Sequence, residues 1–159
     1  MSEWFESYGW GEVADGLLTG SYPQDARDVA TLRAAGVTTV VNLCRDEEYR
    51  DGARAEVEQA YAEAGIVEHR LGSVDFGTVS AALLERGTEL VGAALADGDV
   101  VYVHCRAGWQ RSATLAAAAL TVRDGVGPAA ALAAIRARRP VACPLPHQEQ
   151  DLVAWWNQR

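Results

Sequence analysis

The sequence predicts an α/β fold: a mainly parallel sheet of four to five strands, flanked by helices, with a phosphate-binding loop between one strand and the next helix. Three observations predict it. Short β-branched runs alternate with longer segments of helical periodicity, the order that builds parallel strands joined by crossover helices. One run, Val37 to Leu43, is rich in β-branched and apolar residues, as expected for a strand covered on both faces. Another, Val100-Val101-Tyr102-Val103, leads into a short loop and then an alanine-rich helical stretch.

The elements follow in order. An aromatic-rich N-terminal arm, with Trp4 and Trp10, either borders a cleft or staples itself down. Leu17 to Ser21 reads as a short strand, and Gln24 to Ala35 as a helix ending at Gly36. After the buried run comes a helix over Gly52 to Ala64, stopped by Gly65, and then a strand over Ile66 to Leu71. Leu83, Leu84, Leu90, Val91 and Leu95 give Ser80 to Ala96 one apolar helical face. Asp97-Gly98-Asp99 is a turn, and the strand Val100 to His104 follows. Helical stretches then cover Arg111 to Arg123, Pro128 to Arg138 and Pro146 to Trp156, with Pro128 suited to a first turn. No repeat or linker divides the 159 residues, so one domain over 1–159 is expected.

Charge and cysteine usage narrow the class. A net charge of −8 argues against a general nucleic-acid binder, which needs Lys and Arg to neutralise phosphates. Three cysteines, at 44, 105 and 143, do not make a disulfide scaffold in a chain this long. No Cys-x-x-Cys or His-x-x-x-His pair offers zinc spacing, and no metal or cofactor is expected. Neither a leader nor a membrane span is visible, so a cytoplasmic monomer is the default expectation.

The chemistry concentrates in His104 to Ser112, His-Cys-Arg-Ala-Gly-Trp-Gln-Arg-Ser. The strand delivers Cys105 to a tight loop that feeds a helix N-terminus, at the carboxyl edge of the sheet where ligands bind. Converging N–H groups and the helix dipole there favour an anion, whether a phosphate or a thiolate. Arg111, beyond a five-residue spacer, can grip two phosphoryl oxygens with its planar guanidinium. Gly108 allows the backbone to approach the anion, with Arg106, Ala107, Trp109 and Gln110 completing the substrate-binding loop. Ser112 can donate a hydrogen bond to the sulfur and steady it as a leaving group. His104 is expected to orient the loop, because a strand turns its side chain away from that of Cys105. A leaving alkoxide or phenoxide needs a proton. Asp75, thirty residues before Cys105 in a glycine-containing loop after a strand, is the candidate acid. Gln110 is a weaker candidate for positioning a hydrolytic water.

These residues resemble the cysteine-dependent protein-tyrosine phosphatase superfamily, whose signature His-Cys-x5-Arg-Ser/Thr is met by His104, Cys105, Arg111 and Ser112. Within it the chain is similar to the small dual-specificity phosphatases. Gly16 to Ser21 resembles their opening strand, Leu32 to Leu43 the helix and strand that follow, and Ala130 to Pro140 their late helix with its Arg-Arg-Pro ending. Pro146 to Trp155 resembles their last helix, and Asp75 falls where they carry the general acid. The resemblance implies a metal-free, two-step mechanism through a phosphocysteine. It implies no long phosphotyrosine-recognition segment of the classical tyrosine phosphatases. Asn42-Leu43-Cys44 also resembles a tripeptide of a phosphoinositide phosphatase in the superfamily, which makes Cys44 a possible redox partner of Cys105. The plainer reading of Cys44 is a small buried hydrophobe.

Other readings stand beside this one. The loop fits a phosphatase for lipid, sugar or RNA-end phosphates, a rhodanese-like sulfurtransferase, or a phosphate-binding module without turnover. The expected partner is a phosphorylated protein or a small phosphomonoester. Arg136, Arg138 and Arg139 read as a helix C-terminus offsetting its dipole, with a second anion patch as the alternative.

Overall fold

The computed structural model describes residues 1–159. Its strands are β1 (Trp10–Ala14), β2 (Leu17–Gly20), β3 (Val37–Asn42), β4 (Val67–Arg70) and β5 (Val100–His104). Its helices are α1 (Glu3–Tyr8), α2 (Ala26–Ala34), α3 (Ala53–Ala64), α4 (Ala81–Ala96), α5 (Arg111–Asp124), α6 (Pro128–Arg138) and α7 (Pro146–Asn157), with a 3-10 turn at Asp46–Glu48. The strands form one sheet in the order β1-β2-β5-β3-β4. All neighbours are parallel except β1 and β2, so the expected mainly parallel α/β sheet is present.

Two elements were not anticipated. In β1, Ala14 pairs with Leu17 across the two-residue turn Asp15-Gly16, making a hairpin at the sheet edge. Helix α1 is a short helix capped by Ser2, whose Oγ accepts from Phe5 N. Both belong to the stretch that read only as an aromatic arm.

The alternation of strand side chains divides the interior. Leu17, Val41, Val101 and Val103 face Leu84 and Val91 of α4, Leu115 and Leu120 of α5, and Leu152 and Trp155 of α7. Leu18, Val40 and Tyr102 face Phe5, Val29, Leu32, Val57 and Tyr61 on the other side. Helix α5 is buried from Arg111 through Thr121, which explains its run of alanines: only small side chains let sheet and helices close around it. His104 is the register partner of both Gly20 and Asn42. The carboxyl ends of β2, β5 and β3 therefore finish side by side, and their three following segments converge on one place.

Candidate active site

Cys105 follows the last residue of β5 and forms the floor of a cleft of about 210 Å³, bordered by Trp4, Tyr8, Asp75, Phe76, Arg106, Ala107, Trp109 and Gln110. That volume lies below the range of about 300–1,000 Å³ usual for drug-sized ligands and suits a phosphate with one small group attached. The sulfur is nearly covered, yet it opens onto the cleft. Ser112 Oγ lies 3.3 Å from Cys105 Sγ, in position to donate to it.

The loop is held from outside. His104 is fully buried, and its Nδ1 donates to the Cys105 carbonyl at 3.1 Å. Burial keeps His104 neutral and lowers its pKa to about 4, against the opposing pull of that hydrogen bond. On the far side, Cys143 N donates to the Trp109 carbonyl at 2.6 Å. That bond uses the Cys143 backbone, not its thiol. Gly108 has φ +78°, and a Cβ there would collide with the backbone of Gly20. The glycine is demanded by the approach of β2, a requirement separate from its expected role of letting the backbone approach an anion.

Arg111 has no exposed surface. Its Nη1 donates to the carbonyls of Leu43 (3.1 Å) and Ser73 (2.8 Å), and Nη1 and Nη2 together clasp the Glu48 carboxylate at 3.0 and 2.7 Å. Nη2 also lies 3.1 Å from Asp75 Oδ1. Its Nε–H is buried without a partner. Glu48 was missed by the sequence reading. Burial raises its carboxyl, but hydrogen bonds from Arg111 and from Arg45 N outweigh that and hold it below the usual value.

Asp75 is at the cleft, as expected, in a turn closed by Gly77 N donating to the Val74 carbonyl at 2.9 Å. Phe76, in the same turn, has φ +62°, a conformation that disfavours bulky residues. Phe76, Trp4 and Tyr8 join Trp109 as aromatic walls; bordering a cleft was one of the two readings of Trp4, and Phe76 and Tyr8 had not been assigned to the site. Ala107 and Gln110 border the cleft as expected, and Gln110 Oε1 is buried without a partner.

The remaining candidates do not border the cleft. Cys44 is fully buried with Tyr22, Tyr49 and Ala53, and its N donates to Asn42 Oδ1. Burial pushes its thiol well up, reinforced by the Glu48 and Cys105 charges. Arg136 and Arg139 donate to the protein itself, to Ala142 O and Glu149 and to Tyr8 O and Gly9 O; Arg138 pairs loosely with Glu12 and Asp15. They form no second anion patch. No group of three or more His, Cys, Asp or Glu side chains is arranged to hold a metal ion. No single helix is long and apolar enough to cross a membrane.

Comparison with known proteins shows the family and the fold. The family model described as "Dual specificity phosphatase, catalytic domain" matches residues 18–158. The Mus musculus protein named phosphatidylglycerophosphatase and protein-tyrosine phosphatase 1 is 36% identical over 120 residues, covering 75% of this chain and 61% of that one. The match thus spans under two thirds of that relative. The crystal structure of PTPMT1 in complex with PI(5)P is similar over 94% of this chain and 95% of its own, with TM-score 0.82 and 27% identity. Human DUSP28 is similar over 94% and 93%, with TM-score 0.74 and 29% identity.

Proposed function

Since the chain belongs to the dual specificity phosphatase catalytic-domain family, we propose that it hydrolyses phosphomonoesters through a phosphocysteine intermediate. One observation carries the reading: Cys105 Sγ lies at the base of a cleft, 3.3 Å from the Ser112 hydroxyl, while Arg111 keeps an unpartnered Nε–H and Asp75 borders the same space.

In the first step the Cys105 thiolate attacks phosphorus and the ester P–O bond breaks. Asp75 supplies the proton to the leaving oxygen. Loop N–H groups and the Arg111 Nε–H bind the phosphoryl oxygens, where charge builds up in the transition state. In the second step water attacks phosphorus, Asp75 accepts its proton, and the P–S bond breaks. The Ser112 hydroxyl then donates to the departing sulfur, which returns as thiolate.

The aromatic walls support an aryl phosphate such as phosphotyrosine as the first substrate class. A second reading, a lipid phosphate, is favoured by the name of the mouse relative and by the PI(5)P complex of the similar structure. The test is a panel of phosphotyrosine and phosphoserine peptides, phosphoinositides, phosphatidylglycerophosphate and nucleotides, turned over by the parent chain and by Cys105→Ser. Phosphate release by the parent that Cys105→Ser abolishes is expected. Release that survives Cys105→Ser, or no release from any member, overturns the proposal.

A further inference from the structure

A planar trans peptide places the carbonyl of one residue and the N–H of the next on opposite edges. Tying a loop carbonyl outward therefore aims the following N–H inward. The Arg106 carbonyl receives two such donors, Tyr22 N at 3.1 Å and the Trp4 indole Nε1 at 2.9 Å. Tyr22 belongs to the segment after β2, and Trp4 to α1. The Ala107 N–H lies on the opposite edge of that peptide and makes no backbone hydrogen bond, and Ala107 borders the cleft.

Trp4 is unusually well fixed for this task. Its ring stacks on Tyr8 with centroids 4.3 Å apart and meets Tyr22 edge-on at 5.7 Å. The Arg106 guanidinium lies over the Trp4 ring at 5.0 Å, so one residue holds both the carbonyl and the side chain of Arg106. Helix α1 is itself anchored. Ser2 donates through N and Oγ to the buried Asp28 carboxylate at 2.8 and 2.5 Å, Phe5 is buried, and Arg139 donates to the Tyr8 carbonyl at 3.0 Å. Trp4 and helix α1 themselves lie before residue 18, where the family match begins, while the residues that anchor them lie within it.

We propose that Trp4 is a positioning residue for the oxyanion loop: its indole N–H fixes the Arg106–Ala107 peptide so that the Ala107 N–H is presented to a bound phosphoryl group. The proposal rests on the phosphatase reading, because it concerns the same loop.

The test is Trp4→Phe, which keeps an aromatic ring for the stack and for Arg106 but removes the donor. Trp156→Phe, at an exposed tryptophan of α7 outside the cleft, is the control. Two oxyanion probes are used: orthovanadate as a competitive inhibitor, and inorganic phosphate titrated by calorimetry. The loss of one neutral hydrogen bond is expected to weaken both by about 3- to 10-fold and to lower kcat/KM by a similar factor. Trp156→Phe should move neither. Calorimetry reads affinity in the folded fraction alone, so a partly unfolded variant still decides. A Trp4→Phe chain whose Tm falls but whose vanadate and phosphate affinities match the parent means that Trp4 only packs, and the proposal is lost. If the parent itself binds neither probe and shows no Cys105-dependent turnover, the phosphatase reading fails instead.

Discussion

Arg111 Nη2 lies 3.1 Å from Asp75 Oδ1, so the cation proposed to grip the ester and the carboxyl proposed to protonate its leaving oxygen meet as an ion pair at one edge of the guanidinium. The other edge of the guanidinium is taken by Glu48. On the proposed mechanism, a phosphoryl group entering along Nε–H and Nη2 would compete with Asp75 for Nη2, and its binding would free the carboxyl to meet the leaving oxygen.

Asp75→Asn should consequently act in opposite directions on binding and turnover. Inorganic phosphate is expected to inhibit roughly 2- to 5-fold more tightly, because a partly exposed ion pair no longer competes for the guanidinium. For alkyl and phenyl phosphates, which need a protonated leaving group, kcat is expected to fall by about 100-fold or more. Steady-state kinetics with phosphate as inhibitor measures both. Weaker phosphate binding in Asp75→Asn would contradict the competition.

Glu48 gives a second prediction. Its side chain is 9% exposed and that of Arg111 is fully covered, so truncating the acid leaves a buried guanidinium with only the partly exposed Asp75 carboxylate as counter-charge. Glu48→Ala is expected to cost about 3 kcal/mol or more in a urea titration, and Glu48→Gln, which keeps an acceptor, distinctly less. The carboxyl is held below its ordinary pKa, so its contribution is complete above the unfolded value near 4.3 and is lost as pH falls through the lower folded value. The stability gap between parent and Glu48→Gln should therefore narrow only in strong acid. A gap that closes already between pH 7 and 5 would contradict this.

The placement of these residues separates what was legible in the chain from what was not. Strand, loop and helix around Cys105 could be read because the apolar run, the five-residue spacer and the alanine-rich stretch are all local. Asp75 could be found because glycines and a preceding strand mark its loop. Glu48 could not: it stands in the acidic run Asp46-Glu47-Glu48, which reads as solvated surface, and its partner is 63 residues away. The Trp109–Cys143 bond was hidden because it is made by backbone atoms. The hairpin of β1 did carry a signal, the Asp15-Gly16 pair between short apolar stretches, and that signal was overlooked. Helix α1, at 6 residues, is too short for periodicity to register, and its anchoring to Asp28 is tertiary.

His104 links loop geometry to pH. Because a carbonyl can only accept, the bond to Cys105 O requires Nδ1 to carry the proton, leaving Nε2 bare and buried without a partner. Burial holds the folded ring neutral down to about 4, whereas the unfolded ring titrates near 6.5. Between those values the unfolded chain takes up a proton that the folded chain refuses, so stability falls as pH drops from about 6.5 and levels off below about 4. The gap corresponds to about 3 kcal/mol. His104→Asn can retain a donor to the Cys105 carbonyl but cannot titrate. Urea midpoints of parent and variant, measured from pH 7 to pH 4, should therefore converge as pH falls, since only the parent loses this contribution; the other two histidines cancel in the comparison. A constant offset across the range would mean that the ring is not the source of the acid sensitivity, and that the loop tolerates a charge beneath Cys105.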